Sequence, residues 1–269
     1  MRINWSHVRK CYETSDSRSH PARNQMKNIG LLDFSASVGE GITVVLGSRG
    51  SGKSTLLRVT ATVMVPDDGN VLYQLNGTET VEWSRGQLMA SGISGVTRLK
   101  EKISYIPHMK QLDHDMTVEQ SLIMQAQSKR VLRPRKRSME LLTRWGLAGV
   151  RNTPLYQLRG GALKRYLLVH SLIGRPQLWI LDEPTDGLDP LGRALLWQEL
   201  RQAPKGRVTL IATERDMALA EHADQLILME CGQCRRQGKK RWLTAGVAEG
   251  TVGAWYRTMQ TFSYLQEHK

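Results

Sequence analysis

Five short, largely unbroken apolar runs, at residues 42–46, 103–106, 178–181, 208–212 and 225–229, constrain this chain more than any other feature. Each has the length of a strand and is rich in Val, Ile and Leu. Runs without a polar alternate read as strands covered on both faces. Segments of helical period lie between them, at 54–64, 118–128, 162–173 and 191–200, and read as crossovers. The expected fold is therefore α/β with a parallel core sheet, and ligands of such sheets sit beyond the carboxyl ends of the strands. A chain of 269 residues is long enough to bury a substantial core.

The first forty residues and the segment 70–80 have a different texture. Turn signals at Gly39-Glu40-Gly41, Asp68-Gly69 and Asn76-Gly77 predict short strands and turns, an antiparallel layer beside the core. Residues 107–175 are helix-rich and basic, with 13 Lys plus Arg against 4 Asp plus Glu, which places +9 of the net +13 in about a quarter of the chain. Runs such as Arg133-Pro134-Arg135-Lys136-Arg137 ordinarily form a solvated face, and a second basic run covers 235–241. The charge favours a polyanionic neighbour: anionic lipid, nucleic acid or nucleotide phosphate. With only two Phe, an aromatic-lined single-strand binder is disfavoured.

No apolar stretch approaches the roughly 20 residues of a membrane span. Arg2, Arg9, Lys10 and Arg18 fall among the first twenty residues without an apolar block, so no secretory signal is read and a cytosolic location is expected. Cys231 and Cys234 form a C-x-x-C pair, but Cys11 and scattered His are all that remain to complete a zinc site. A hairpin turn is the plainer reading, with a metal or redox site as the alternative.

The chemistry concentrates after two of the core runs. Following the first comes Gly47-Ser48-Arg49-Gly50-Ser51-Gly52-Lys53-Ser54-Thr55, which satisfies G-x-x-x-x-G-K-S/T between a strand and a helix. Its glycines let backbone N–H groups curl around a β-phosphate, and the helix N-terminus adds partial positive charge. Lys53 would bridge the β- and γ-phosphates, and the Ser54 hydroxyl would coordinate Mg2+. Following the third core run comes Asp182-Glu183-Pro184, two carboxylates where burial disfavours charge. Asp182 is placed to hold Mg2+ through water, and Glu183 to polarise the water that attacks the γ-phosphorus. Helix capping is the alternative role for the pair.

At this point the chain resembles a family. Gly47 to Thr55, Leu158-Arg159-Gly160-Gly161-Ala162, Trp179-Ile180-Leu181-Asp182-Glu183-Pro184 and Gly187-Leu188-Asp189-Pro190 follow one another as do the motifs of ABC transporter ATP-binding subunits. Their order and spacing cover nearly the whole chain. Tyr12, in a K-x-Y setting, resembles the adenine-stacking aromatic of that family, with an ordinary strand tyrosine as the alternative. The resemblance implies a P-loop NTPase core with an antiparallel β layer and a helical subdomain. It implies ATP and Mg2+ as cofactors, and two subunits sandwiching two ATP molecules between one phosphate loop and the other's signature motif. Arg159, Gly160, Gly161 and Asp189 thereby join the nucleotide-binding set.

Three places depart from the family pattern, all at the γ-phosphate. The signature normally reads L-S-G-G-Q, whereas Arg159 replaces the serine and Ala162 the glutamine. The loop after Tyr105-Ile106-Pro107 normally starts with glutamine, a Mg2+ and water contact, and here has His108. The fourth core strand normally leads to a histidine that donates to the γ-phosphate, and here Thr213 is followed by Glu214. An ionised carboxylate cannot donate. Losing such a donor costs about 3–4 kcal/mol, or ~10²- to 10³-fold in rate. Repulsion at ~4 Å adds on the order of a few kcal/mol unless Glu214 swings away or protonates. Arg159 is either a bidentate clamp on a partner's γ-phosphate or a solvent-facing residue.

These readings predict a single ABC-type ATPase domain over 1–269. Its nucleotide-binding core with β layer spans 1–106 and 176–230, its helical subdomain 107–175, and a C-terminal extension 231–269. The expected function is ATP binding and hydrolysis, slow at this subunit's own site, driving dimer closure that moves a separate membrane permease. Expected partners are that permease and a second ATPase subunit, a heterodimer being favoured and a homodimer possible, at the cytoplasmic face of the membrane with peripheral contact. The alternative is a regulatory or assembly module that binds ATP with little hydrolysis. A nucleic-acid ATPase ranks last, and no nucleic acid is expected as partner.

Overall fold

In this computed structural model, residues 1–12, 28–75, 77, 79–86, 93–108 and 115–267 are described. The chain runs β1 (Arg2–Tyr12), β2 (Asn28–Val38), β3 (Gly41–Leu46), α1 (Lys53–Thr60), β4 (Asp68–Gln74), β5 (Thr80–Trp83), α2 (Ile93–Lys102) and β6 (Ile103–Ile106). Then follow α3 (Val118–Ser128), α4 (Pro134–Arg144), α5 (Gly160–Leu172), β7 (Leu178–Asp182), α6 (Pro190–Arg201) and β8 (Val208–Thr213). The last elements are α7 (Met217–Ala220), β9 (Gln225–Glu230), β10 (Gln233–Lys239), α8 (Lys240–Leu243) and α9 (Val252–Glu267).

All five apolar runs are strands of one sheet, ordered β10-β9-β3-β8-β7-β6, parallel except for β10. The runs lack polar alternates because each face has its own apolar cover. Val44, Leu46, Leu181 and Ile211 pack toward the helices on one side, while Val45, Ile180, Leu210 and Ala212 pack toward α1 and the second sheet. That second sheet, ordered β2-β1-β4-β5, is the antiparallel layer. Its first two strands are 11 residues each rather than short. β1 is paired on both edges and bends through irregular register after Trp5 and Ser6, which lets a long strand wrap the core. Gly69 turns tightly enough that a Cβ would lie 2.3 Å from the His7 carbonyl oxygen. Asn76, of the expected Asn76-Gly77 turn, and Arg18 lie outside the described residues.

The segment from 231, expected as a C-terminal extension, opens with a hairpin onto the core sheet. Cys231 and Gly232, with φ +46° and +76°, turn β9 into β10, which pairs antiparallel along it. Cys231 and Cys234 are free thiols, and no cluster of three metal-ligating residues exists among the described residues. Among the described residues no helix is long and apolar enough to cross a membrane.

Residues 118–172 hold three helices with readable boundaries. Thr117 and Gln120 form a reciprocal capping box on α3, Pro134 opens α4, and Arg159 precedes α5 in extended conformation. Of the basic run 133–137, Arg133, Arg135 and Lys136 are exposed. Arg137 is not merely solvated: it reaches the Leu172 carbonyl at 3.4 Å, and burial lowers its pKa.

One buried ion pair ties α6 to the sheet. Arg207 Nη1 lies 3.1 Å from Glu199 Oε1, its Nη2 donates to the Glu199 carbonyl at 3.2 Å, and its guanidinium stacks 5.2 Å above the Trp179 ring. Arg144 from α4 also pairs with Glu199. Burial, reinforced by Arg144, pushes the Arg207 pKa down to about 10. Removing one member of a buried pair strands the other, at a cost of about 3–5 kcal/mol. Glu199→Ala is therefore expected to lower the unfolding free energy by about that amount in urea titrations at neutral pH, far more than an exposed pair such as Arg257–Glu249 would.

Candidate functional site

The strands β3, β8 and β7 end side by side, so the three loops that leave them meet. After β3 the chain curls through 47–52 into α1. Gly50 and Gly52 take φ of +83° and +99°, which an L side chain resists. There is also no room: a Cβ at Gly47 would lie 2.4 Å from the Met229 carbonyl oxygen, and one at Gly52 2.3 Å from that of Gly30. Lys53 is 7% exposed and folds back to donate to the carbonyls of Gly47 at 2.6 Å and Ser48 at 2.8 Å. Burial lowers its pKa against the opposing pull of Glu183, Glu214 and Asp182.

Asp182, at the end of β7, is 2% exposed and lies beside the Ser54 side chain. Burial raises its pKa above the usual carboxylate range, against Ser54 and the nearby cations. Glu183 follows with φ +46°, a left-handed conformation that a non-glycine residue holds only under constraint. The constraint is visible: its carboxylate accepts from Thr213 Oγ1 at 3.0 Å and from the Glu214 backbone N–H at 2.7 Å. Burial raises its pKa as well. A single buried carboxylate beside one hydroxyl is too few ligands for an all-protein metal cage. It does suit Mg2+, which keeps waters and takes one or two carboxylates beside substrate phosphates.

These groups line one cavity of about 1150 Å³. Of the residues singled out from sequence, Tyr12, Arg49, Gly50, Gly52, Lys53, Ser54, Thr55, His108, Asp182, Glu183 and Glu214 border it. Gly47, Ser48 and Ser51 form the back of the curl. The Tyr12 hydroxyl sits 3.0 Å from Thr55 Oγ1 and 3.5 Å from Met64 Sδ, so its ring lies beside α1 at the cavity wall.

Arg159, Gly160, Gly161 and Asp189 stand apart from the cavity. Arg159 donates to the carbonyls of Tyr156 and Leu158. Gly161 is pressed against Asp189, where a Cβ would meet Cγ at 2.5 Å. Asp189 caps α6 through Gly192 N at 2.9 Å and pairs with Arg165 at 3.4 Å.

Sequence reading passed over three participants. Asp186 binds His108 Nε2 at 2.7 Å, joining the loops after β6 and β7, and His108 is the main reason its pKa falls. Buried Lys164 on α5 donates to the His108 carbonyl at 3.4 Å, and burial lowers its pKa although Asp186, Asp182 and Glu183 pull the other way. Arg215 lines the cavity beside Glu214. The acid-rich spacing Asp182-Glu183-Pro184-Thr185-Asp186 was the available signal for the first; the other two carry none in sequence.

Comparison with known proteins follows the same lines. The ABC transporter family model matches residues 31–186. A daunorubicin resistance ATP-binding protein from Streptomyces coeruleorubidus is 32% identical over 197 residues, covering 72% of this chain and 58% of the relative. A Nod factor export ATP-binding protein I from Rhizobium johnstonii is 32% identical over 215 residues, covering 77% and 63%. The chain thus spans about three fifths of the length of these curated relatives. A dimeric ATP-binding cassette solved in a post-hydrolysis state with ADP and Pi superposes with TM-score 0.71 at 22% identity, covering 88% of this chain and 98% of that one, a likeness of fold. The cbiO1 subunit from Clostridium perfringens, part of the cbiONQ transporter complex, gives 0.67 at 25% identity, covering 91% and 90%.

The raised Asp182 pKa has a measurable consequence. Where a folded carboxyl titrates above its unfolded value, the folded state holds the extra proton, so ionisation costs stability as pH rises through that window. Without nucleotide, Asp182→Asn is expected to melt higher than the parent at pH 7. The advantage should shrink as pH falls through the ordinary value of 3.8, below which both states carry the proton. Melting curves across that range check the sign.

Proposed function

The chain belongs to the ABC transporter family, and from that premise we propose that it is an ATP-binding and hydrolysing subunit which energises a separate membrane permease through nucleotide-driven dimer closure. The observation that carries this reading is the glycine curl at 47–52 facing Asp182 and Glu183 across one cavity, with Ser54 beside Asp182. Backbone amides of the curl and Lys53 would grip the β- and γ-phosphates, Lys53 exchanging its present carbonyl partners for phosphate oxygens. Ser54 and Asp182 would hold Mg2+, which supplies charge neutralisation to the phosphates. Glu183 would orient and polarise the attacking water. Its raised pKa suits a base, and its two hydrogen bonds from Thr213 and Glu214 fix its direction. Tyr12 at the wall offers a ring for adenine.

The proposed domain is single, with the cavity in the core of 1–106 and 176–230 and the helical region 107–175 carrying the signature. Arg159, Gly160 and Gly161 lie away from the cavity of their own chain, as fits residues offered to a partner's nucleotide. Because Glu214 takes the place of a donor, turnover at this site is proposed to be slow, and a heterodimer with a second ATPase subunit at the cytoplasmic face of the membrane is favoured. Two kinds of relative point to transport: one is an export ATP-binding protein and one is part of a transporter complex.

Equilibrium titration with labelled Mg-ATP tests the core of the proposal. Saturable binding that disappears in Lys53→Ala is the expected outcome; no binding by the unaltered chain would sink it. Glu183→Gln is expected to keep nucleotide binding while single-turnover hydrolysis falls to background. In the opposite direction, Glu214→His is expected to raise hydrolysis under saturating Mg-ATP by about 10²-fold, the size of one restored transition-state donor.

A further inference from the structure

The loop after β8 leaves the sheet between the two halves of the site. β8 is paired with β3, which leads into the phosphate curl, on one edge and with β7, which ends in Asp182, on the other. A terminal phosphate held between Lys53 and Glu183 therefore has this loop as its third wall. The loop's first two residues, Glu214 and Arg215, both line the cavity. Glu214 is fixed by its backbone bond to Glu183, and its carboxylate is near enough to bear on Lys53. By itself it would repel a phosphate.

Of the other basic side chains on the wall, Lys53, His108 and Arg193 are engaged. Lys53 binds carbonyls of the curl, and His108 binds Asp186. Arg193 pairs with Asp216 at 3.6 Å and reaches the Thr185 carbonyl at 3.4 Å. Arg49 is exposed, but it sits on the curl and not on the loop that separates the two halves of the site. Of these basic side chains, Arg215 is the one on the loop after β8. Its side chain is 90% exposed, and it lies 3.8 Å from Glu214 Oε1, close enough for attraction but too long for a hydrogen bond.

We infer that Arg215 is the residue by which this site tells a nucleoside triphosphate from a diphosphate. Its guanidinium pairs with the terminal phosphate, while Glu214 keeps it at the rim. The inference rests on the ATPase reading above and deepens it. A guanidinium fork matches phosphate oxygens and makes charge-assisted bonds of roughly twice ordinary strength. Such a grip on the bound substrate tightens ATP without accelerating its hydrolysis, since substrate and transition state are held alike. It is therefore compatible with slow turnover next to Glu214. A triphosphate would be retained and a diphosphate released.

The test uses the full chain in equilibrium titrations with a non-hydrolysable Mg-ATP analogue and, separately, with Mg-ADP. Arg215→Ala is expected to weaken the triphosphate analogue by about tenfold or more, the equivalent of one charged hydrogen bond, while ADP affinity stays unchanged. Unchanged ADP affinity also reports an intact fold, and Arg215→Lys should recover part of the loss as a point charge without the fork. If Arg215→Ala binds both nucleotides as the parent does, or loses both equally, the assignment to Arg215 is wrong and the ATPase reading stands. If the parent binds neither nucleotide, the ATPase reading fails and takes this assignment with it.

Discussion

The curl at 47–52 is clamped where two sheets and a hairpin converge, and the rest of the site is arranged around that convergence. Gly47 lies against the Met229 carbonyl of β9, and Gly52 against the Gly30 carbonyl of β2 and the Cα of Gly232. The hairpin tip is bonded on both sides: Gly232 N donates to the Ser51 carbonyl at 3.0 Å, and Leu32 N donates to the Gly232 carbonyl at 3.1 Å. The C-x-x-C turn is thus a structural strut, joining the antiparallel layer to the curl. That layer, which carries no charged member of the site, is needed because a nest of backbone amides keeps its shape only if its own carbonyls are tied elsewhere.

How much of this could be read in sequence follows from how local each feature is. The five core strands were legible because burial on both faces leaves an uninterrupted apolar run, and the crossovers because their helical period is strong. The phosphate-loop motif 47–55 and the acid pair were legible because each is contiguous: nine neighbouring residues in one case, two in the other. What stayed hidden depends on pairing between distant segments. His108 and Asp186 are 78 positions apart and meet only because β6 and β7 are adjacent and parallel. Lys164 is an unremarkable helix residue until α5 brings it beneath the loop after β6. β10, read as part of an extension, is mostly exposed and basic, so it lacks the apolar run that betrayed the other strands. It is a strand because β9 offers it an edge.

The electrostatics of the site have a common direction. Asp182 and Glu183 are shifted toward their protonated forms, and Lys53 and Lys164 toward their neutral forms, each with burial as the leading cause. Opposite charges are close enough to offset this only in part. Such a site is poorly solvated and under-compensated, and the natural remedy is a ligand that brings both signs. On the proposed reading a magnesium-bound triphosphate would do so: anionic oxygens would answer the lysines, and the cation would answer Asp182. On that reading, the cost of keeping these charges dry without nucleotide would be the counterpart of the affinity gained with it.

The same logic bears on Arg159. A guanidinium has five N–H donors, and in this chain they bind the carbonyls of Tyr156 and Leu158 directly before α5. That leaves donors to spare and places the positive charge at a helix N-terminus whose first turn has no acidic residue and whose cap makes no side-chain bond. Two like-signed features, the helix dipole and the arginine, therefore face the same way, with the Asp189 carboxylate against Gly161 as a nearby counter-charge that is itself shared with Arg165. A serine in this position would satisfy one amide and carry no charge. On the proposed reading the arginine exchanges cap economy for attraction at a distance, so a partner's triphosphate would be drawn to this surface before any contact forms, and association would weaken steeply with added salt.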